Sequence, residues 1–247
     1  MDDALAEYLD DFTRRDWQTL APDDVDDPVR VAVVGLGWFA REWALPGISR
    51  SAFTEATVVT DIDSGTVETV AADRDVRGIT PRAFRDGAAA DEYDAVYVAT
   101  PNATHLEYVE AAAAQGKAVL CEKPLESTPE RARRLVAACD DAGVPLMVGY
   151  RMQTDPAARR LRDLIRSGFA GDVVHVHATM SQTMLGELGS DHDQWRLDPD
   201  LSGGCALMDI GIYPLNTIRF ALGADPVRVS GRTRTEHDAF AGVDEHA

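Results

Sequence analysis

The chain has 247 residues, 45% of them apolar, and a formal net charge of −18. This length and apolar content are enough for one large domain or two modest ones with a buried core, and they exclude a disordered chain. The strong negative charge disfavours nucleic acid and anionic membrane surfaces as partners.

The distribution of charge suggests the conditions in which the protein works. The chain has 29 Asp and 13 Glu residues spread along its length, against 22 Arg and two Lys. Hydrated carboxylates keep a protein dissolved in concentrated salt, where screening over about 3 Å at 1 M removes their repulsion. We expect a cytoplasmic protein of a high-salt cytosol whose stability falls as salt is removed. The acidic N-terminus does not resemble a signal peptide, and no segment has the length of a membrane span.

The chain begins with an expected arm. Residues 1–28 are predicted to form a helical arm and a linker, since Leu5, Leu9 and Phe12 recur at helical spacing before an acidic stretch bounded by prolines. The arm is expected to pack on the body of the protein.

Strand and helix patterns alternate over residues 29–151. The predicted strands are short runs rich in β-branched residues: VRVAVVGLG from Val29, EATVVTDID from Glu55, AVYVAT from Ala95, AVLCEKP from Ala118 and PLMVGY from Pro145. Helical patterns separate them, two of which end at Gly116 and Gly143. The alternation predicts an α/β fold with a doubly wound parallel sheet, the Rossmann arrangement of a dinucleotide-binding domain.

Residues 152–247 have a different pattern. It predicts a helix at about 156–167, a strand at 172–181, an irregular stretch, a helix at about 207–222 and a strand at 227–235. These elements suggest an α+β open-sheet domain for substrate binding or oligomerisation. Two strands are too few to close such a sheet, so we expect the domain to be truncated here.

Neither histidines nor cysteines indicate a metal site. His175 and His177 share one face of the predicted strand, but a third ligand is not apparent, so no metal is expected. Cys121, Cys139 and Cys205 are odd in number and lack the spacing of a zinc site, so they are predicted to be free and buried.

A glycine-rich turn follows the first strand. GLGWFA, residues 35–40, fits G-x-G-x-x-G/A between a strand and a helix. Gly35 permits the tight turn, Gly37 permits close approach of a pyrophosphate, and the helix N-terminus favours its negative charge. Trp38 and Phe39 lie inside the motif and are further candidates for cofactor contact. The motif predicts NAD or NADP.

Other cofactor candidates follow later strands. Asp61 ends the second strand, where a carboxylate binds ribose hydroxyls and favours NAD, although nearby arginines leave NADP open. Thr100 and Asn102 form a turn after the strand at 96–99, and His105 either faces the cofactor or caps the next helix. Glu122 and Lys123 follow the strand that starts at Ala118.

These motifs together resemble a known family. GLGWFA, TPNATH, CEKPLE, VGYRM and GGCALMDIGIYPLN are similar to the glucose-fructose oxidoreductase / inositol dehydrogenase (Gfo/Idh/MocA) family over residues 29–235. QWRLD and the GGCALMDIGIYPLN segment resemble most the branch that contains glucose-fructose oxidoreductase and haloarchaeal D-xylose 1-dehydrogenases. Members run beyond 300 residues, which agrees with the expected truncation, and their second domain often mediates homo-oligomers.

The resemblance implies three catalytic residues. The family's E-K-P lysine falls on Lys123, its D-x-G-x-Y/H aspartate on Asp209, and the acid/base position of that motif on Tyr213. Many members have histidine at the last position, and tyrosine there is typical of the glucose-fructose oxidoreductase branch. Tyr150 and Arg151, with Trp195 and Arg196, are candidates for lining a sugar site.

These residues fit the oxidation of a sugar hydroxyl. A lysine ammonium near Tyr213 favours the phenolate, which can accept the hydroxyl proton, while Asp209 orients the substrate or the lysine. The expected activity is NAD(P)-dependent oxidation of an aldose such as D-xylose or D-glucose to a lactone. The alternatives are a glucose-fructose oxidoreductase with a tightly held cofactor and a non-catalytic NAD(P)-binding sensor. Retention of all three catalytic candidates argues against the sensor.

Overall fold

The structure is a computed structural model that describes residues 25–183 and 194–247, together with Ala6, Glu7, Asp10, Asp11, Arg14 and Ala21. The apolar stripe predicted for the N-terminal arm, Leu5, Leu9 and Phe12, lies outside the described residues. In the described part of the chain, no helix combines the length and the apolar character needed to cross a membrane.

A single parallel sheet organises the first part of the chain. Its strands are β1 (Val29–Val34), β2 (Thr54–Thr60), β3 (Arg77–Ile79), β4 (Ala95–Val98), β5 (Ala118–Cys121) and β6 (Leu146–Val148). Their order is β3-β2-β1-β4-β5-β6, and every neighbouring pair is parallel. This is the order of the Rossmann fold, so the predicted fold class is confirmed.

Helices connect the strands and continue into the second part. They are α1 (Leu45–Arg50), α2 (Ser64–Arg74), α3 (Pro81–Arg85), α4 (His105–Ala114), α5 (Pro129–Ala142), α6 (Pro156–Arg166), α7 (Pro199–Ser202) and α8 (Ile212–Leu222). π-helical turns at Ala40–Ala44 and Ala206–Gly211 lead into α1 and α8. Gly143 and Gly223, at φ of 67° and 66°, end α5 and α8, because glycine adopts the left-handed conformation without strain.

Both faces of the sheet are buried. Ala32 and Val34 of β1 belong to one apolar cluster, whereas Val31 and Val33 belong to another. Successive side chains of a strand point to opposite faces, so the two clusters are the two cores that the helices cover. This explains why β1 reads as a continuous apolar run and not as an alternating one.

Two strands predicted for the second part are absent. Residues 172–181 and 227–235 form no strand and are exposed throughout. Among the described residues after β6, the only β-pairing is an isolated bridge between Arg234 and His246. The strand prediction was wrong for both segments, because a strand needs a neighbour for its backbone hydrogen bonds. Residues 172–181 pair with no described strand, and residues 227–235 pair only at the single bridge of Arg234.

Other predictions for this part hold. The helices predicted at about 156–167 and 207–222 are present as α6 and as the π-helical turn with α8. Cys121, Cys139 and Cys205 are free and buried, as predicted. The domain boundary at residue 151 stays a prediction.

An ion pair at the start of the sheet predicts a pH dependence of stability. Hydrogen bonds from Arg30 lower the pKa of Asp94 to about 2. A lowered pKa stabilises the fold above the unfolded pKa of about 3.9, and this stabilisation is lost as pH falls toward 2. We expect Asp94→Asn to lower the Tm at pH 6 and to lower it less at pH 3. An equal loss at both pH values would contradict this account.

Candidate active site

The glycine loop lies at the carboxyl end of β1, between β2 and β4. Gly35 has a φ of 91°, and a Cβ there would lie 2.6 Å from the carbonyl oxygen of Ala99. A Cβ on Gly37, in contrast, would meet no protein atom within 4 Å. Packing against β4 therefore requires glycine at position 35, whereas the fold itself does not require it at position 37. The open space over Gly37 is what close approach of a pyrophosphate needs.

Asp61 supports this loop. Its Oδ2 accepts a hydrogen bond of 2.6 Å from the Leu36 N–H, and its Oδ1 accepts one of 2.9 Å from the Asp63 N–H. Both carboxylate oxygens therefore organise the backbone around the loop. The presence of Asp61 does not by itself select NAD over NADP.

Two aromatic side chains of the motif are open to solvent. Trp38 is 64% exposed and Phe39 41% exposed, directly after Gly37. Ala40, by contrast, is buried against the core, as its place in the motif predicts. Trp38 and Phe39 are thus accessible to a ligand at the loop, and their role as cofactor contacts stays a prediction.

The residues predicted after β4 divide into two groups. Thr100 remains half-buried beside the loop, and its methyl group would lie 2.9 Å from a Cβ on Gly35. Asn102 is buried, and its amide donates a hydrogen bond of 2.8 Å to the carbonyl oxygen of Ser202. The structure therefore uses Asn102 to attach α7 to the sheet edge.

His105 is buried in this structure. Its side chain is completely buried, with ring nitrogens 2.9 Å from the Thr100 carbonyl oxygen and 3.1 Å from the Leu125 carbonyl oxygen. A role of His105 as a cofactor contact stays a prediction, and its burial does not favour that role. His105 instead lies between the loop after β4 and the loop after β5.

Glu122 and Lys123 follow β5. The Glu122 Oε1 accepts a hydrogen bond of 2.6 Å from the Tyr97 hydroxyl, and Oε2 accepts one of 3.2 Å from the Lys123 N–H. This fixes the backbone at Lys123 against β4, and the following Lys123–Pro124 peptide bond is cis. The backbone of Lys123 is therefore held at the carboxyl edge of the sheet by the Glu122 hydrogen bonds.

Lys123 meets the helix that carries the other two catalytic candidates. Its Nζ lies 2.7 Å from Asp209 Oδ1 and 3.1 Å from the Asp209 carbonyl oxygen, and 5.1 Å from the ring centroid of Tyr213. The side chains of Lys123 and Asp209 are only 12% and 14% exposed. The structure thus brings Lys123 together with Asp209 and Tyr213, the first of which lies 86 positions further along the chain. Their catalytic roles stay predictions.

Asp209 is held in its charged form. Burial alone would raise the pKa of Asp209, but the charges of Lys123 and Arg196 and their hydrogen bonds bring it below its ordinary value. Arg196 donates from Nε to Asp209 Oδ2 at 3.1 Å, and its guanidinium also lies 4.5 Å from the ring centroid of Trp195. Sequence reasoning placed Arg196 in the sugar site and missed its pairing with Asp209.

Tyr150 and Arg151 both lie beside the ring of Tyr213. The Tyr150 hydroxyl donates to the Tyr213 carbonyl oxygen and lies 3.0 Å from Thr217 Oγ1, and the two tyrosine rings are 5.7 Å apart. Tyr150 is buried, so it positions α8 and offers little surface to a substrate. The Arg151 guanidinium is exposed and lies 5.6 Å from the Tyr213 ring centroid, which leaves it available as a substrate contact.

Two supporting carboxylates were not identified from the sequence. Glu126 is buried and accepts hydrogen bonds from the Leu106 and Ser127 N–H groups. Asp244 accepts hydrogen bonds of 2.7 Å from the N–H groups of both Cys205 and Leu207, just before Asp209. No sequence motif marks Glu126 or Asp244, because both carboxylates bind backbone N–H groups, which every residue type except proline provides. Gly203 lies so close to the Ser127 carbonyl oxygen that a Cβ at position 203 would clash with it.

Comparison with family models shows the family to which the chain belongs. Residues 29–150 match the model described as "Oxidoreductase family, NAD-binding Rossmann fold", and residues 158–247 match the "GFO/IDH/MocA C-terminal domain". The chain belongs to the GFO/IDH/MocA oxidoreductase family. The resemblance seen in the sequence motifs is therefore confirmed, as is the dinucleotide-binding character of the first part.

Two members of the GFO/IDH/MocA family from haloarchaea are similar to this chain. The D-xylose 1-dehydrogenase [NADP(+)] of Haloarcula marismortui is 52% identical over 238 residues, which cover 95% of this chain and 65% of that protein. The D-xylose 1-dehydrogenase (NADP(+)) 2 of Haloferax volcanii is 34% identical, over 86% of this chain and 62% of that protein. The chain thus spans somewhat less than two thirds of the length of these relatives.

A solved GFO/IDH/MocA-type structure resembles this one closely. The aldose-aldose oxidoreductase of Caulobacter crescentus, complexed with glycerol, has a TM-score of 0.77 and 29% sequence identity. The match covers 88% of this chain and 65% of that chain. The likeness extends beyond the sheet, which itself takes up only residues 29–148.

Proposed function

We propose that this chain carries the catalytic site of an NADP-dependent oxidoreductase that oxidises an aldose at its anomeric hydroxyl to a lactone. The observation that carries the proposal is the contact of Lys123 with both Asp209 and the Tyr213 ring at the carboxyl edge of a Rossmann sheet. Ligands bind at that edge in open α/β sheets. The relatives named for D-xylose oxidation support an aldopentose as substrate.

The protein groups supply a base and a stabilised charge. Tyr213 accepts the proton of the anomeric hydroxyl, and the cations Lys123 and Arg151 lie 5.1 Å and 5.6 Å from its ring centroid. The Lys123 ammonium can also donate a hydrogen bond to the reacting oxygen while Asp209 holds it in place. The oxidised nicotinamide, when bound, supplies the hydride acceptor for the hydrogen on the anomeric carbon.

The cofactor proposal rests on the glycine loop and on the relatives. The space over Gly37 fits a pyrophosphate, and the first family model is NAD-binding. NADP is preferred to NAD because both haloarchaeal relatives are named for it.

The two glycines give a matched test of the cofactor site. We expect Gly35→Ala to lower the free energy of unfolding by about 1–3 kcal/mol, because alanine is strained at a φ of 91° and clashes with Ala99. Gly37→Ala should leave the Tm unchanged but weaken cofactor binding by about 10- to 100-fold, as its methyl group fills the space of the pyrophosphate. Titration of the tryptophan fluorescence with NADP measures the binding. Unchanged affinity of Gly37→Ala would contradict the proposed cofactor position.

A second candidate function has one specific observation in its favour. The solved structure with a TM-score of 0.77 is an aldose-aldose oxidoreductase. An enzyme that transfers hydride between two sugars has no need to release its cofactor. Purified protein that carries NADP through gel filtration and shows no exchange with added cofactor would favour this candidate over a dehydrogenase.

The proposed conditions are a high-salt cytosol. The net charge of −18, the two lysines and the haloarchaeal relatives support them. A homo-oligomer also stays a prediction, for which several exposed apolar side chains, among them Leu161, Phe169 and Leu215, offer surface.

The deciding experiment is an assay of the chain in molar KCl against a panel of aldoses with NAD and with NADP. We expect reduction of NADP with D-xylose or a related aldose and formation of the corresponding lactone. Cofactor binding is measured in parallel by fluorescence. If the protein binds NADP but no aldose reduces it, the proposed oxidation fails while the dinucleotide site stands.

A further inference from the structure

The Lys123–Asp209 pair has a third charged member. Arg196 lies in the 3₁₀ turn Trp195–Leu197, and its Nε donates to Asp209 Oδ2 while Lys123 Nζ binds Oδ1. The Asp209 side chain is 14% exposed and that of Arg196 34% exposed. One largely buried carboxylate therefore bridges two cations that come from separate segments of the chain.

The charge balance of this bridge matters for Tyr213. With Lys123 alone, Asp209 would form a neutral pair, and the attraction between the lysine and a phenolate would be largely cancelled. With Arg196 added, two positive charges face one negative charge, so the cluster keeps a net positive charge beside the Tyr213 ring. A positive charge nearby favours the ionised form of a phenol.

The other charged groups around the cluster are of both signs, so removal of one cation makes the surroundings of Tyr213 more negative. Arg151 adds a cation 5.6 Å from the Tyr213 ring centroid. Burial raises the pKa of Cys205 to about 11, so its thiol is neutral. Two carboxylates add negative charge: Asp244, which accepts from the N–H groups of Cys205 and Leu207, and Glu122, which accepts from the Tyr97 hydroxyl and the Lys123 N–H. Tyr150 keeps its hydroxyl on the backbone of α8.

We propose that Arg196 is a positioning residue that binds the second oxygen of Asp209, and thereby leaves the Lys123–Asp209 pair positively charged beside Tyr213. This inference rests on the proposed function, since it assigns the charge that makes Tyr213 a base. It replaces the sequence-based hypothesis that Arg196 lines the sugar site. Arg196 acts through Asp209, to which its Nε donates, while its guanidinium lies 4.5 Å from the ring centroid of Trp195.

The first test compares Arg196→Gln and Arg196→Lys with the wild type. Removal of the charge in Arg196→Gln should move the acid limb of the pH profile of kcat/KM upward by about one pH unit, because base ionisation becomes harder. Arg196→Lys should restore the limb, since it keeps the charge. KM for the aldose should change little in either variant, whereas loss of a sugar contact would raise it. Arg134→Gln is the control, since Arg134 pairs with Glu110 on exposed helix surfaces.

A second readout does not depend on turnover. The ultraviolet absorbance of tyrosinate is titrated in the absence of cofactor and sugar, and the Tyr213→Phe spectrum is subtracted to isolate Tyr213. We expect the Tyr213 transition at higher pH in Arg196→Gln than in the wild type and in Arg134→Gln.

The outcomes separate this inference from the proposed function. If the wild type oxidises aldoses but neither the acid limb nor the tyrosinate transition moves in Arg196→Gln, the inference is overturned. If the wild type oxidises no aldose but the tyrosinate transition moves, the inference about charge holds and the proposed reaction fails. A lowered Tm of Arg196→Gln with an unmoved transition would make Arg196 a purely structural residue, which also overturns the inference.

Discussion

Lys123→Ala is expected to lower kcat/KM for the aldose by about 10²–10⁴-fold, the usual contribution of a positioned acid or base group. The alanine variant removes the ammonium that contacts both Asp209 and the Tyr213 ring. Asp209 keeps Arg196 as a partner, so the carboxylate is not left as an unpaired buried charge. We therefore expect the variant to fold, with a modestly lower Tm. Steady-state kinetics in molar KCl measure the loss of kcat/KM.

The scarcity of lysine provides a matched control. Lys117 is the second of the two lysines, and its Nζ lies 5.4 Å from the ring centroid of Tyr93, on the side of the sheet where β5 begins. Lys117→Ala should keep full activity. Lys123→Arg should not restore activity, because a forked guanidinium cannot occupy the place of a compact ammonium between Asp209 and Tyr213. If Lys123→Ala kept the kcat of the wild type, the proposed mechanism would be wrong.

Tyr213→Phe is expected to cause a similar loss of kcat, by about 10²–10⁴-fold, with little change in stability. The contacts of Tyr213 among the described residues involve its ring and its backbone carbonyl, and phenylalanine keeps both. The remaining activity should lose the acid limb of its pH profile, because the group that must ionise is gone. Kinetics from pH 5 to 10, together with thermal unfolding, measure both effects.

Tyr150→Phe is the control for this prediction. Burial raises the pKa of Tyr150, so its hydroxyl stays protonated and donates to the Tyr213 carbonyl. Its removal should lower the free energy of unfolding by about 0.5–1.5 kcal/mol and keep the acid limb in place. If Tyr213→Phe and Tyr150→Phe lost stability and activity in the same proportion, Tyr213 would be a structural residue and the assigned base would be wrong.

The site was only partly predictable from the sequence. Gly35 and Gly37 were found because a strand, a glycine turn and a helix follow one another locally. The role of His105 stayed open, because a histidine at the start of a helix near the edge of a sheet can point either to the ligand or into the core. In this structure its buried ring contacts the Thr100 and Leu125 carbonyls, which lie in two different loops.

The second part of the chain shows a further limit. The pattern of residues 172–181 and 227–235 favours strands, yet neither forms one here. Alternation reports which face a segment would bury once it is paired. It does not report whether a partner strand is present, and pairing supplies the hydrogen bonds that make a strand stable.

The sequence by itself determined the Rossmann sheet and the glycine turn, and its resemblance to a known family identified Lys123, Asp209 and Tyr213 as candidates. The sheet and the turn are properties of short segments, in which apolar runs and glycines act on their nearest neighbours. Only the tertiary structure decided that Asp209 bridges Lys123 and Arg196, that Asn102 attaches α7 to the sheet edge and that Tyr150 holds α8. These contacts join residues from 13 to 100 positions apart, and side-chain charges and hydrogen bonds over such separations leave no periodic trace in the sequence.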